Sequence, residues 1–152
     1  RTYKLLIQHY AIRMGSLQQV AQYLDEMMLA GIRPHPTIFL AIFKGFKMHG
    51  GFPGSEWSNQ HLQMILSSMF QAQKERKNNF LIEHWLVLWA LRAVKVCGSS
   101  EAVTETFQAL SECWTIPDDR VTETHAFYES ILDGSDEKRA RRSRDRRGFG
   151  AA

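Results

Sequence analysis

The sequence predicts an all-α fold, a right-handed α-solenoid of stacked helix-turn-helix repeats. Three observations predict it. Alternation at period two, the mark of strands, is nowhere sustained, apolar residues recur at the helical spacing i, i+3, i+4, i+7, and an order of helix, glycine, helix and proline occurs nearly three times. One helical hairpin cannot bury its own apolar face, so stacked neighbours must cover it. The 152 residues are enough for one domain with a core.

The first helix of each repeat, helix A, is marked by four apolar residues at helical spacing and a glycine after them. The three sets are Tyr3, Leu6, Ile7 and Tyr10 before Gly15, then Phe39, Ile42, Phe43 and Phe46 before Gly50, then Val87, Ala90, Leu91 and Val94 before Gly98. Each glycine predicts a helix end in the left-handed conformation, which glycine adopts without steric cost.

The second helix of each repeat, helix B, has apolar residues five, nine and twelve positions after the glycine. They are Val20, Leu24 and Met27 after Gly15, and Val103, Phe107 and Leu110 after Gly98. The same offsets give Leu62, Leu66 and Met69 after Gly50 if seven inserted residues, 51–57, form a loop, with Ser55 or Ser58 capping the next helix.

Prolines close the repeats and set their bounds. Pro34 and Pro117 each lie seven residues after the last apolar residue of a helix B. The predicted units are repeats at 1–35, 36–79 with insertions, and 80–118, then a terminal helix at 119–132 and a disordered basic tail at 133–152.

The stretch TYKLLIQHYAIRMGSLQQVAQYLDEMMLAGIRPH, residues 2–35, resembles a pentatricopeptide repeat. It has the Thr-Tyr start, a glycine after helix A, Asp-Glu-Met late in helix B and Gly-Ile-Arg-Pro at the end. The related tetratricopeptide repeat has a Trp and a Leu-Gly early in helix A, which are missing here. The resemblance is specific over residues 2–50, fair over 80–118 and poor over 51–79.

This resemblance implies a mitochondrial matrix protein that binds single-stranded RNA, either a mitochondrial transcript or rRNA, along the concave surface made by its A helices. The long insertion and degenerate motifs are similar to fungal or animal members, which support RNA processing, stability or translation. Because the chain starts at Arg1 rather than Met, we expect a C-terminal fragment of a longer protein.

In the family, each repeat reads one base with the residue after the helix A aromatic and the last residue of the repeat. The matching pairs here are Lys4 with His35, Leu40 with an undetermined residue near 77–78, and Leu88 with Asp118. Leucine has no hydrogen-bonding group. We therefore expect either contact dominated by the RNA backbone or a degenerate end of the array that packs against protein.

Charge is segregated between the predicted helices. The A segments 1–14, 36–49 and 80–97 carry seven basic residues and one acid, Glu83, whereas the B segments 16–29, 55–70 and 101–114 carry six acids and no Lys or Arg. In a solenoid this pattern predicts a basic inner wall, the field that RNA phosphates select. Chance segregation of solvated charges is the alternative. The candidate RNA-binding residues are Lys4, His35, Lys44, Lys47, Arg92, Lys95 and Asp118.

The tail holds the whole excess of positive charge, since residues 1–132 contain 12 Lys+Arg and 12 Asp+Glu. Its composition predicts disorder, because it cannot bury enough apolar surface. Three roles are open: a solvated tail, a nuclear address, or RNA phosphate contacts through Arg139, Arg141, Arg142, Arg144, Arg146 and Arg147.

Other residue patterns bear on base stacking, metal binding, catalysis and membrane insertion. Trp85 and Trp89 are predicted in the core, and Trp57 after the loop is the better base-stacking candidate. Histidine and cysteine spacings predict no metal or cofactor, and catalytic motifs are missing, so no enzyme is expected. The chain lacks the roughly 20 apolar residues of a membrane helix.

A second interpretation is a protein scaffold associated with mitochondrial ribosomal proteins or their assembly, without sequence-specific RNA readout. Leu40 and Leu88 favour it, and the charge segregation favours RNA.

Overall fold

A computed structural model describes residues 2–135, and this part of the chain is helical without strands. The all-α prediction is therefore confirmed, and the predicted tail lies outside the described residues from 136 onward. The helices are α1 (Thr2–Gln8, continued by a π-helical segment, His9–Met14), α2 (Leu17–Leu29), α3 (Pro36–His49), α4 (Asn59–Arg76, then a 3₁₀ turn, Lys77–Asn79), α5 (His84–Cys97), α6 (Ser100–Ser111) and α7 (Asp118–Asp133).

The odd-numbered helices pack side by side in chain order, and the even-numbered helices lie against them. α1 contacts α3, α3 contacts α5, and α5 contacts α7. α2 packs on α1, α4 on α3 and α5, and α6 on α5 and α7. α3 and α5 therefore have neighbours on both flanks. They also bury the most side chains, including Phe39, Phe43 and Phe46 of α3 and Leu86 and Leu91 of α5.

A serine begins each even-numbered helix. Ser16, Ser58 and Ser99 accept the backbone N–H three residues later, at the starts of α2, α4 and α6. Ser58 is thus the cap of α4. Ser55, the other serine offered by the sequence, instead donates to the His49 carbonyl and accepts the Trp57 N–H inside the loop.

The glycines after the A helices have two different roles. Gly15 has a φ of 65°, the left-handed conformation that the sequence predicted. That prediction is wrong for Gly50 and Gly98, whose φ angles are −98° and −118°. A Cβ on Gly50 would lie 2.5 Å from Cys97 Sγ and 2.8 Å from the Trp57 carbonyl oxygen. Glycine is needed at position 50 for close packing.

The π-helical segment accounts for a difference in spacing among the three A helices. Gly15 lies twelve positions after Tyr3, but Gly50 lies eleven positions after Phe39. A π-helical turn absorbs one additional residue in a helix. Ile7 and Ala11 are consequently buried four positions apart, where α3 buries Phe43 and Phe46 three apart.

Within residues 2–135, no helix combines the length and hydropathy that crossing a membrane requires.

Candidate functional site

α3 and α5 present the same pattern of partly exposed side chains. Both helices have 14 residues, and they begin 48 positions apart, at Pro36 and His84. Equivalent residues on the two helices are Leu40 and Leu88, Lys44 and Arg92, and Lys47 and Lys95, all partly exposed. The opposite face of each helix is buried. The two stripes therefore carry apolar residues early in the helix and cations late.

A tryptophan joins these stripes. The Lys44 ammonium lies 5.2 Å from the centre of the Trp89 ring, and the Arg92 guanidinium lies 4.8 Å from the same ring. Arg92 is also 4.8 Å from the Phe127 ring of α7. We call Lys44, Trp89, Arg92 and Phe127 the cation–aromatic strip. It crosses three odd-numbered helices, and attraction between cation and ring restrains its charged groups there.

The structure places three tryptophans differently from the prediction. Trp85 and Trp89 are partly exposed rather than in the core, because α5 buries the face that carries Val87, Leu91 and Val94. Trp57, the predicted stacking candidate, is only 2% exposed. Its indole N–H donates to the Gly15 carbonyl over 3.0 Å, and its ring meets Phe46 edge to face. The prediction failed because the loop folds back onto the junction of α1 and α3.

Lys4 and His35, the predicted pair of the first repeat, line one cleft. Tyr3, Arg33 and Thr37 also line it. His35 has a structural role that the repeat pattern did not predict: its Nδ1 accepts the Thr37 backbone N–H over 3.2 Å and so caps α3. Pro36, at the first position of the helix, is the sequence signal that could have shown this.

Lys95 and Asp118 lie at helix ends. Lys95 donates to the Ser100 hydroxyl, 3.2 Å away at the start of α6. Asp118 is exposed and is the first residue of α7, where a carboxylate is favourable because the helix dipole places positive charge there. The six candidate arginines of the tail, between 139 and 147, lie outside the described residues.

The charge pattern holds for the first three odd-numbered helices. α1 with its π-helical continuation, α3 and α5 carry six basic residues and no acid: Lys4, Arg13, Lys44, Lys47, Arg92 and Lys95. α7 differs, with five acids and one arginine. The run of odd-numbered helices with basic residues and no acid therefore ends before α7.

The even-numbered helices depart from the predicted charge pattern in two places. α4 continues to Arg76, so it includes Lys74 and is not free of basic residues. Glu56 lies in the loop rather than on helix B. Its carboxylate accepts the backbone N–H groups of Leu17 and Gln18 and caps α2 from outside.

The two cysteines serve packing. Burial raises the pKa of Cys97 to about 11, and two carbonyl oxygens, of Phe46 at 3.6 Å and of Trp57 at 3.4 Å, are the alternative acceptors of its single S–H. Burial also raises the pKa of Cys113, with Lys74 acting in the opposite direction. Within residues 2–135, no group of three His, Cys, Asp or Glu side chains is placed to hold a metal ion.

Comparisons of the chain with models of protein families, with curated proteins and with solved structures found no match.

Proposed function

We propose that this chain is a right-handed α-solenoid of pentatricopeptide type that binds single-stranded RNA through phosphate contacts on its odd-numbered helices. The observation that carries the proposal is the cation–aromatic strip, where Lys44 and Arg92 occupy equivalent positions of α3 and α5 around one ring. A mitochondrial matrix protein that supports RNA processing, stability or translation is the cellular role this function implies.

Regular placement of the cations supports a polyanionic ligand. Lys47 and Lys95 lie about one turn beyond Lys44 and Arg92, on the same two stripes. An RNA strand that crosses α3 and then α5 would meet cations at equivalent positions along the two helices. Each phosphate that such cations neutralise releases counterions, so the affinity should fall steeply as salt is added.

The apolar positions of the stripes support binding without strong sequence preference. Leu40 and Leu88 stand where a pentatricopeptide repeat would read a base, and they are partly exposed. A leucine side chain cannot donate to or accept from a base edge. Unrelated RNA sequences should therefore bind with affinities that differ by less than about 100-fold, a difference of about 2.7 kcal/mol.

Fluorescence anisotropy with labelled single-stranded RNAs of unrelated sequence tests the proposal. We expect the double variant Lys44→Ala/Lys47→Ala to bind more than about tenfold more weakly and to lower the salt slope by about 0.7 for each phosphate that it no longer neutralises. The matched control is Lys74→Glu, which lowers the net charge by the same two units near the end of α4. Equal weakening in both variants, or discrimination above about 100-fold among RNAs, would refute the proposal.

A protein scaffold is the second candidate function, and exposed apolar side chains on the same stripes favour it. Met48 is 58% exposed beyond Lys44 and Lys47 on α3, and it adds to the apolar surface of Leu40 and Leu88. A scaffold would show little change in RNA affinity between about 50 and 200 mM salt. It would instead retain mitochondrial ribosomal proteins in a binding assay that Met48→Glu weakens.

A further inference from the structure

We propose that Trp89 is the stacking surface for one unpaired base, beside the phosphate contact of Lys44. This inference rests on the proposed RNA-binding function and adds a residue that the pairs of readout positions do not include. Trp89 is partly exposed on α5, and its ring is approached by the Lys44 ammonium of α3 and the Arg92 guanidinium.

The stripes of α3 and α5 divide along their length in the way that a nucleotide does. Leu40, Trp85, Leu88 and Trp89 lie in the earlier part, and Lys44, Lys47, Arg92 and Lys95 lie in the later part. A nucleotide likewise joins a planar base, whose ring face can stack, to a charged phosphate. The sugar–phosphate backbone would therefore run over the later part of both helices and place its bases over the earlier part.

Contacts of the other tryptophans distinguish Trp89 as the base contact. Trp57 is buried under the loop, and Trp114 meets Phe107 and His125 between α6 and α7. The Trp85 indole N–H donates to the Glu83 carboxylate, which places a negative charge where a phosphate would be repelled. Trp89 has cations at its ring and so combines both halves of a nucleotide site.

Stacking requires the Lys44 ammonium to exchange partners. Lys44 has a flexible four-carbon stem, so its ammonium can leave the indole face and meet a phosphate when a base covers the ring. The cation–aromatic contact of the free protein would then hold Lys44 close to its bound position. Because every base has a π-face, this contact tolerates any sequence.

The test compares two ligands of equal length and charge: a single-stranded oligoadenylate, and an abasic oligonucleotide that keeps the sugar–phosphate backbone. We expect Trp89→Ala to weaken oligoadenylate binding about tenfold, in line with stacking on one base. Binding of the abasic oligonucleotide should change by less than about twofold, because its phosphate contacts remain. Trp89→Phe should give an intermediate weakening, and Trp114→Phe should leave both affinities unchanged.

Each outcome decides between the two proposals. Equal weakening for the two ligands would show that Trp89 only positions its cations, and would overturn the stacking role. Salt-insensitive or undetectable binding of both ligands by the unmodified chain would instead overturn the proposed function. If Trp89→Ala does not fold, Trp89→Phe with a native thermal melt decides, and an unchanged affinity for oligoadenylate overturns the inference.

Discussion

At the scale of single residues, Trp57 fastens the insertion loop to the helical core. Its indole lies against α3 at Gly45, where an added Cβ would be 2.6 Å from a ring carbon and 2.8 Å from the Ala11 carbonyl oxygen. Its indole N–H also donates to the carbonyl of Gly15, so one side chain links the loop, α3 and the residue that ends the π-helical segment. Glycine at position 45, in the middle of a helix, is explained by this contact rather than by any turn.

Replacement of Gly45 by alanine should destabilise the protein. In an open helix this change stabilises by about 1 kcal/mol, but here the new Cβ collides with the Trp57 ring. We expect the free energy of unfolding to fall by about 1–3 kcal/mol, as for other overpacked sites. Urea unfolding of Gly45→Ala, Trp57→Phe and the double variant measures it. The cost of Gly45→Ala should be smaller when residue 57 is Phe, and an equal cost would contradict the contact.

The tryptophans show what residue patterns can and cannot predict. Periodicity identified the buried face of α5 through Val87, Ala90, Leu91 and Val94, and all four are buried. Trp85 and Trp89 are outside that set. They were predicted to be buried because they are large and apolar, but they lie away from the buried face of α5 and are partly exposed. Trp57 lies in a loop, where no period applies, and its burial depends on a path that only the tertiary structure determines.

At the scale of elements, the serine caps are the most regular feature that the structure adds to the repeats. Ser16, Ser58 and Ser99 stand one residue before α2, α4 and α6 and accept the N–H of the third residue after them. Such a cap satisfies a donor that the helix itself cannot pair. The same device therefore begins every even-numbered helix among residues 2–135.

Alanine at any of these three serines should cost about 1 kcal/mol of stability. Ser67→Ala is the matched control, because Ser67 is exposed in the interior of α4 and should change stability by less than about 0.5 kcal/mol. Thermal unfolding of the four variants measures the difference. Aspartate at positions 58 and 99 should retain stability, and a cap variant as stable as Ser67→Ala would exclude the capping role at that helix.

Helix order was easier to predict than helix ends. Prolines, glycines and apolar spacing located the seven α-helices found among residues 2–135, but the predicted α4 ended too early because charged residues such as Lys74 and Arg76 carry no apolar period. The conformation of Gly50 was missed for a different reason. Its close contact is with Cys97, 47 residues away in the chain, and no local pattern contains it.

At the scale of the whole molecule, the odd-numbered helices α1, α3, α5 and α7 form a row in which each contacts the next. The charges of the helices change along this row. α1 with its π-helical continuation, α3 and α5 carry basic residues and no acid, and α7 adds acids at the end of the row. Composition alone could assign the positive sign of α1, α3 and α5, but not the sign of α4, whose end adds Lys74 and Arg76. It could not place Lys44 beside Arg92, because that neighbourhood depends on α3 packing against α5 and on Trp89 lying between them.

Hydrogen exchange should show that local stability is highest in the middle of the row, at α3 and α5, and lower at its ends, α1 and α7. α3 and α5 are covered on both flanks, whereas α1 and α7 each have one neighbour in the row among residues 2–135 and bury few side chains, such as Ile7 and Ile131. Elements with fewer buried contacts open at lower free energy. In a stack where each unit contacts only its neighbours, the ends should therefore open before the middle.

Mass spectrometry of exchanging peptides measures this order. Amides of α3 and α5 should exchange at the rate of global unfolding, and those of α1 and α7 at least about tenfold faster, which corresponds to about 1.4 kcal/mol in opening free energy. A mild denaturant should bring all helices toward one rate as global unfolding takes over. Equal protection from α1 to α7 without denaturant would mean that the helices open as one cooperative unit, and the predicted gradient of local stability would then be wrong.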